Sequence, residues 1–510
     1  MLRADCFSLG VPRRIDQIEF YISDDDGDGL IDEDCSAGAD AGGMDFLVMY
    51  MDNIVENPRQ FPLELYVTPT RGRAASVKVT SPRYHSPHIN MSATINAGDV
   101  RKFEIDPALR QQWTSLESKA ILVESSEDVI VYGVNMELFS NDGFLALPTS
   151  VQGTRYYTVS YWPAELRTQF GIIGLSDGTV VDIRLPNPSS GPVSVSYGGA
   201  TYGNGQTFRI DLNRFDTFQA QSSGDLSGTF IHSSHNVSVF SGNVRTNVGS
   251  GDSRDHLVEQ LPPLSSWGKR FATVPTPMRT TGDVIRIVAS QDNTVVHIEG
   301  EGNYTIARAG EVLERVLSSS HNHLLESSAP VLVVQIVYSQ LSTSEPADPA
   351  MMLIPPVEQW SRDYTFVTPH YSGGVTGGDY ANRLLVVVED SEKDGLRLDG
   401  QQLSASWSPV PGTTFVGGDV NVSSQGVHSF RHESPTVTFC AWLYGAADRE
   451  SYAFPIGLQL RAVNLCEKTT PVLGDNVDND CDGSIDEEEC DLLGEYLLAV
   501  VALLTTSNKN

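Results

Sequence analysis

A short motif returns along the chain at nearly fixed intervals, and a chain that repeats itself folds by repeating a unit. It reads Glu124-Ser125-Ser126-Glu127-Asp128-Val129, then His232-Ser233-Ser234-His235-Asn236-Val237, then Glu326-Ser327-Ser328-Ala329-Pro330-Val331. A looser copy is His432-Glu433-Ser434-Pro435-Thr436-Val437. The third positions lie about 94 to 108 residues apart, a period that marks repeated units. Each copy sits between two apolar runs, as with Val331–Val337 after Pro330, and this predicts strand, turn, strand.

Other landmarks keep the same phase. A turn glycine precedes each motif at Gly98, Gly205, Gly310 and Gly426. An acidic residue and an apolar stretch ending in proline follow it: Asp142 to Pro148, Asp255 to Pro262, Asp348 to Pro355, Asp448 to Pro455. Aromatic strands begin the next unit at Tyr156, Phe271 and Tyr364. The spacing predicts a β body over 44–460 made of four units, 44–150, 151–264, 265–357 and 358–460. About seven strands in about 100 residues is the size of a β-sandwich domain. The alternative is a β-propeller in which each unit supplies two blades. The first needs a core within each unit, the second a core between blades. Either way the fold class is all-β.

The chain is acidic, with a formal net charge of −31 over 510 residues. That excludes nucleic acid as the natural partner, because phosphate binding needs clustered Lys and Arg. The acidity concentrates in two short segments, 1–43 and 461–491. In the second, Asp478, Asp480, Asp482, Gly483, Ser484, Asp486 and Glu489 fill the twelve-position calcium loop. Three alternating carboxylates, a turn glycine, the Ser484 carbonyl, Asp486 through water and a closing Glu489 supply the oxygens that Ca²⁺ requires. In the first, Asp24, Asp26, Asp28, Gly29, Leu30 (by its carbonyl) and Asp32 repeat the pattern, but Cys35 stands where the closing carboxylate belongs. The expected cofactor is Ca²⁺, bound more weakly at the first loop.

Cys6, Cys35, Cys466, Cys481 and Cys490 lie in or beside these acidic segments, whereas Cys440 lies within the body. Such placement reads as disulfides formed in an oxidising compartment, with the pairing open. Sequons at Asn90, Asn236, Asn303 and Asn421 agree with a secreted glycoprotein. The first residues lack the apolar core of a signal peptide, so the chain reads as a piece of a larger secreted protein. In the tail, 492–510, the apolar run Tyr496–Leu504 is too short to span a bilayer. It is the start of a membrane segment or a sticky end.

Signals for catalysis are weak. Ser253, Asp255 and His256 are neighbours in sequence, which a triad assembled across a fold does not require. No phosphate loop, dinucleotide fingerprint or HExxH zinc motif occurs. Trp162, Trp267 and Trp360 sit at prolines or unit boundaries, where they read as junction packing.

The segments Asp255–Pro275, Val284–Gly300 and Asp348–Trp360, with His232–Asn243 before them, resemble the N-terminal domain of the IgGFc-binding protein family. The likeness spans 46–457. The terminal segments look like thrombospondin type 3 acidic repeats. The resemblance implies extracellular, multivalent, non-catalytic work of mucus, matrix or host-defence type, with protein or glycan ligands. Antibody Fc enters as a partner through the founding member's name. The von Willebrand D-type domains that accompany this module in the mucus protein are absent here, and no Fc-binding residue carries over. The competing expectation is a structural spacer within a larger secreted or surface protein.

Overall fold

The computed structural model describes residues 40–463, except 55–60, 71, 87, 165, 189–190, 341–347, 371–378 and 424. Asp40–Cys466 form one compact unit. The described residues hold 33 strands and a few single 3-10 turns, with no α-helix among them. None of their helical segments is long and apolar enough to cross a membrane. The molecule is all-β.

Each of the three largest sheets is built on one long strand. In the first sheet this is Ile121–Val134. Its N-terminal half pairs with Gly43–Val48 on one side and Ala75–His85 on the other. Its C-terminal half pairs with Leu63–Pro69 and Gly143–Leu145. One strand thus belongs to two layers, and the sheet curls around it. Phe230–Thr246 does the same in the second sheet and His323–Ile336 in the third. In the fourth region the long strand is broken into Gly426–His432 and Cys440–Ala447, so two separate sheets form. Strand patterning follows solvent. Thr207–Leu212 alternates exposed and buried residues, whereas Asp283–Ala289 is buried throughout because both its faces are covered.

The repeated Ser-Ser motif is where the long strand bends. Gly43 pairs with Val129 and Asp45 with Glu124, an advance of two residues on one side against five on the other. The same slip falls between Gly153 and Arg155 and between Gly268 and Arg270. This corrects the turn expected at the motif: in the first three copies the strand continues through a wide bulge, and only the fourth is interrupted. The second serine explains the choice of residue. Ser126, Ser234 and Ser328 each accept, at 2.9 Å, the backbone N–H of a neighbouring strand at Ser76, Val180 and Val295. A bulge leaves such groups without a ladder partner, and the hydroxyl supplies one.

Opposite the bulge the chain approaches itself too closely for a side chain. A Cβ on Gly43, Gly153 or Gly268 would lie 2.6, 2.7 or 2.3 Å from the Cβ of Pro148, Pro263 or Pro356. Those prolines start the turns that lead to the next sheet. Two of these turns end in a buried tryptophan whose indole N–H donates back to a proline carbonyl, Trp267 to Pro262 and Trp360 to Pro355. Gln152 makes the equivalent bond to Leu147 in the first turn.

Apolar cores lie inside the curl of the sheets and also run between them. The first joins Phe46–Phe144 to Phe240 and Val258 of the second sheet, and another joins Phe271–Trp360 to Leu385, Trp442 and Tyr444. Four short strands, Gly143–Leu145, Asp255–Leu261, Met351–Leu353 and Glu450–Pro455, pack around a common axis. Contacts then close the circuit from the last sheet to the first. Tyr132 donates to the Ile456 carbonyl at 2.9 Å, its ring lies 4.7 Å from that of Phe454, and Asp40 bridges Gln459.

Candidate functional site

The calcium ligands named from sequence, Asp24–Asp32 and Asp478–Glu489, lie outside the described residues, as do Cys6, Cys35, Cys466, Cys481 and Cys490. Cys440 is a buried free thiol. Asn90, Asn236, Asn303 and Asn421 are all exposed. Asn236 sits on the bulge of Phe230–Thr246, and the Asn303 Oδ1 lies 2.7 Å from His297 Nδ1.

The largest concentration of buried charge is at the axis. Asp142 is fully buried, and its two oxygens accept backbone N–H groups from Gly143, Val258, Met351 and Ala453. One carboxylate therefore ties together the axial strands of all four regions. Burial pushes its pKa up, and the four N–H donors pull the other way. Asp255 accepts from the backbone of Asn141, His256 and Ser451. Burial raises its pKa, and the neighbouring Asp348, Glu450 and Asp142 raise it further. Asp348 is pushed up to about 7, chiefly by burial, against the pull of Ser253, Arg245, Arg449 and Arg279. Glu450 accepts from Phe139 N at 2.7 Å and from the Asn141 amide.

The landmark assigned to Asp448 in the fourth unit is corrected here. Asp448 is exposed on a hairpin turn, and the buried acid is Glu450. Among the described residues no group of three or more His, Cys, Asp or Glu side chains is arranged to hold a metal ion. The Asp142, Asp255 and Glu450 carboxylates hold backbone instead.

Ser253, Asp255 and His256 have separate tasks. The Ser253 hydroxyl accepts the Gln340 N–H, and the Asp255 carboxylate is taken up by three backbone N–H groups. The His256 ring contacts the Val244 carbonyl and the Asn135 amide. Burial lowers its pKa to about 3, so the ring is neutral.

Among the described residues, one conspicuously exposed aromatic was missed in the sequence. Trp113 is 58 % exposed, and its backbone has φ of 57°. The Arg167 guanidinium lies 4.5 Å from its ring centroid, and Leu116 beside it is 39 % exposed. The run Gln111-Gln112-Trp113-Thr114-Ser115 sets a tryptophan among polar residues, but local sequence does not reveal the left-handed backbone that displays it.

Comparison with known proteins places this architecture. The family model of the IgGFc binding protein matches residues 142–445, more than half of the chain. The human IgGFc-binding protein is 24 % identical over 434 residues, covering 83 % of this chain and 8 % of that protein. The chain thus corresponds to a small part of its relative. A biofilm associated protein (BSP domain) of known structure aligns over 82 % of this chain and 96 % of its own, at 6 % identity and a TM-score of 0.16, a likeness too weak to carry any argument. With the match running from the first axial aspartate into the strand Cys440–Ala447 of the fourth region, the chain belongs to the IgGFc-binding protein family.

Proposed function

We propose that the chain is an extracellular, non-catalytic binding and adhesion module whose ligands are proteins or glycans of mucus, matrix or host-defence surfaces. The observation that supports this reading is the family match across the sheets. Antibody Fc is one candidate partner, drawn from the relative's name. The alternative is a spacer within a larger secreted or surface protein, which supplies length and binds nothing specific. The test is capture of ligands from mucus or matrix extracts by the immobilised full chain, with purified Fc as a separate arm. Retention of defined components above a scrambled-surface control supports binding. Retention of none supports the spacer.

The flanking segments are calcium-dependent in this reading. Asp478, Asp480, Asp482, Asp486 and Glu489 repel one another without a cation, so Ca²⁺ binding orders the loop and its energy becomes local folding energy. Affinity on the order of 10⁻⁴–10⁻³ M is expected, as in extracellular modules. Calorimetric titration of the full chain beside Asp482→Ala checks this. The variant loses the tighter of two binding events and keeps the weaker one at Asp24–Asp32. An absence of calcium heat from the wild type contradicts it. Secretion from eukaryotic cells adds N-linked sugar at one or more of Asn90, Asn236, Asn303 and Asn421. Unchanged mobility after glycosidase treatment would remove that support for an extracellular location.

A further inference from the structure

The chain between Arg110 and Ser115 crosses from the first sheet to the second, where Ser115–Glu117 forms the edge and pairs with Thr217–Ser222. Trp113 sits on that crossing with φ of 57°, a conformation that glycine or asparagine adopts easily and a bulky aromatic resists. Its backbone is pinned there from both sides. The N–H donates to Asp52 Oδ2 at 3.2 Å, and the carbonyl accepts from Gln219 Nε2 at 2.8 Å. The next residue, Thr114, accepts the Gln221 N–H through its hydroxyl at 3.0 Å, and Gln221 Nε2 also donates to Asp52 at 2.8 Å. Asp52, Gln219 and Gln221 are buried. A network of buried polar groups therefore holds a strained backbone so that an indole stands in water. Neither the strain nor the exposure benefits the fold, and strain kept by surrounding structure is a mark of functional sites.

Arg167 completes the arrangement. Its guanidinium lies 4.5 Å from the Trp113 ring centroid, and it makes no hydrogen bond or ion pair with the described residues. Stacking fixes the cation's position, the buried Asp52 carboxylate feels its charge, and no described side chain hydrogen-bonds to its N–H edge, a fork that fits a carboxylate. The apolar surface is small, Trp113 and the partly exposed Leu116, and its immediate neighbours Gln112 and Thr114 are polar. A stable protein interface needs a larger apolar centre. A single aromatic plate with amide, hydroxyl and guanidinium groups around it suits a sugar, whose C–H face packs on an indole while its polar edges hydrogen-bond.

We propose that Trp113 and Arg167 form a subsite for an acidic sugar, with the indole packing against the pyranose ring and the Arg167 guanidinium pairing with its carboxylate. The subsite deepens the binding reading above and rests on it. Its ligand is a carboxylated monosaccharide at the end of a glycan, and sialate and uronate are the two sources of that chemistry.

The experiment titrates the full chain with 3′-sialyllactose, with a glucuronate-terminated oligosaccharide and with lactose, following tryptophan fluorescence and calorimetric heat. One of the acidic sugars is expected to bind about tenfold more tightly than lactose, the ratio that a charge-assisted hydrogen-bonded pair supports. Arg167→Ala removes that preference, and Arg167→Lys restores part of it. Trp113→Gly abolishes binding while leaving thermal stability equal or higher, because it relieves the left-handed backbone. Equal affinity for acidic and neutral sugars, or none for either, overturns the subsite. So does a destabilised Trp113→Gly variant, which would make the indole a structural element. If captured ligands bind the wild type and Trp113→Gly alike, the subsite fails while the wider binding reading stands. If removal of glycans from those ligands leaves a Trp113-dependent interaction intact, the patch is a protein contact and the proposal is wrong.

Discussion

Arg286 carries a full charge into the seam between the second and third sheets. It pairs with Asp225 at 2.6 Å, donates to Ser227 Oγ at 2.9 Å and also reaches the Ser160 carbonyl. Both charged groups are buried. Burial pushes the Asp225 pKa up, but the Arg286 charge and hydrogen bonds outweigh it and hold the carboxyl below its usual range. Breaking such a pair strands a buried carboxylate, so Arg286→Ala should cost about 3–5 kcal/mol in urea unfolding. Replacing both partners with apolar side chains, Arg286→Met with Asp225→Leu, should recover most of that. Equal losses in the single and double variants would contradict the buried-pair account.

Asp348 carries a prediction about pH. Its carboxyl is raised to about 7, first by burial. An exposed carboxyl in the unfolded chain titrates near ~3.9. Between these values the folded protein holds a proton that the unfolded chain has released. Through Asp348, stability should therefore fall as pH rises from about 4 to about 7, and Asp255, whose carboxyl is also raised, adds to the slope. Asp348→Asn should flatten the melting-temperature profile over that window and raise it at pH 8. A profile unchanged by the substitution would show that Asp348 titrates normally. At this scale the sequence was partly legible. Asp142, Asp255 and Asp348 fall in phase with the repeat and are all buried, but the fourth acid is Glu450 and not Asp448. Side-chain length and a hairpin turn decide that, and neither is visible in a period. Trp113 was missed for a related reason, because its backbone is set by Asp52, Gln219 and Gln221 from distant strands.

At the scale of strands, the Ser-Ser motif shows what local chemistry can and cannot specify. A turn and a bulge both leave backbone groups without ladder partners, and serine satisfies either. The residues around Ser234 therefore announce an interruption without saying which kind. Pairing with Gly153–Tyr157, whose partners in the long strand lie 73 to 84 residues away, selects the bulge. The bulge in turn explains the facing glycine. Gly268→Ala would place a Cβ 2.3 Å from that of Pro356 and should cost about 1–3 kcal/mol through overpacking. Ser234→Ala removes the hydroxyl that accepts from Val180 N–H and meets His235 Nδ1 at an exposed site, and should cost about 0.5–1.5 kcal/mol. Thermal melts of the two variants should rank in that order. In the fourth region Ser361 occupies the facing position, bridging Phe439, and there the long strand is broken. The all-β class and the aromatic strands at Tyr156, Phe271 and Tyr364 were readable from composition and phase alone.

Across the whole of Asp40–Cys466, the sheets are arranged so that each touches the next and the last touches the first. Asp142 is the shared fastening. It binds Val258, Met351 and Ala453, one from each of the other three regions. Seen from sequence, the acidic landmark promised only a recurring position. Its convergence on one axis depends on packing among strands more than 300 residues apart, such as Gly143–Leu145 and Glu450–Pro455, and no local pattern encodes that. A closed arrangement suits a binding module, because a rigid body can hold an exposed residue such as Trp113 at a fixed place. If closure governs the molecule, the four regions do not open independently. Native-state hydrogen exchange in increasing denaturant tests this segment by segment. Peptides from Ile121–Val134, Phe230–Thr246, His323–Ile336 and Cys440–Ala447 should share one opening free energy, and Asp142→Ala should lower it in all four together. Four distinct opening energies, or an effect of Asp142→Ala confined to the first region, would mean that the regions are independent domains and that the axial carboxylate does not unite them.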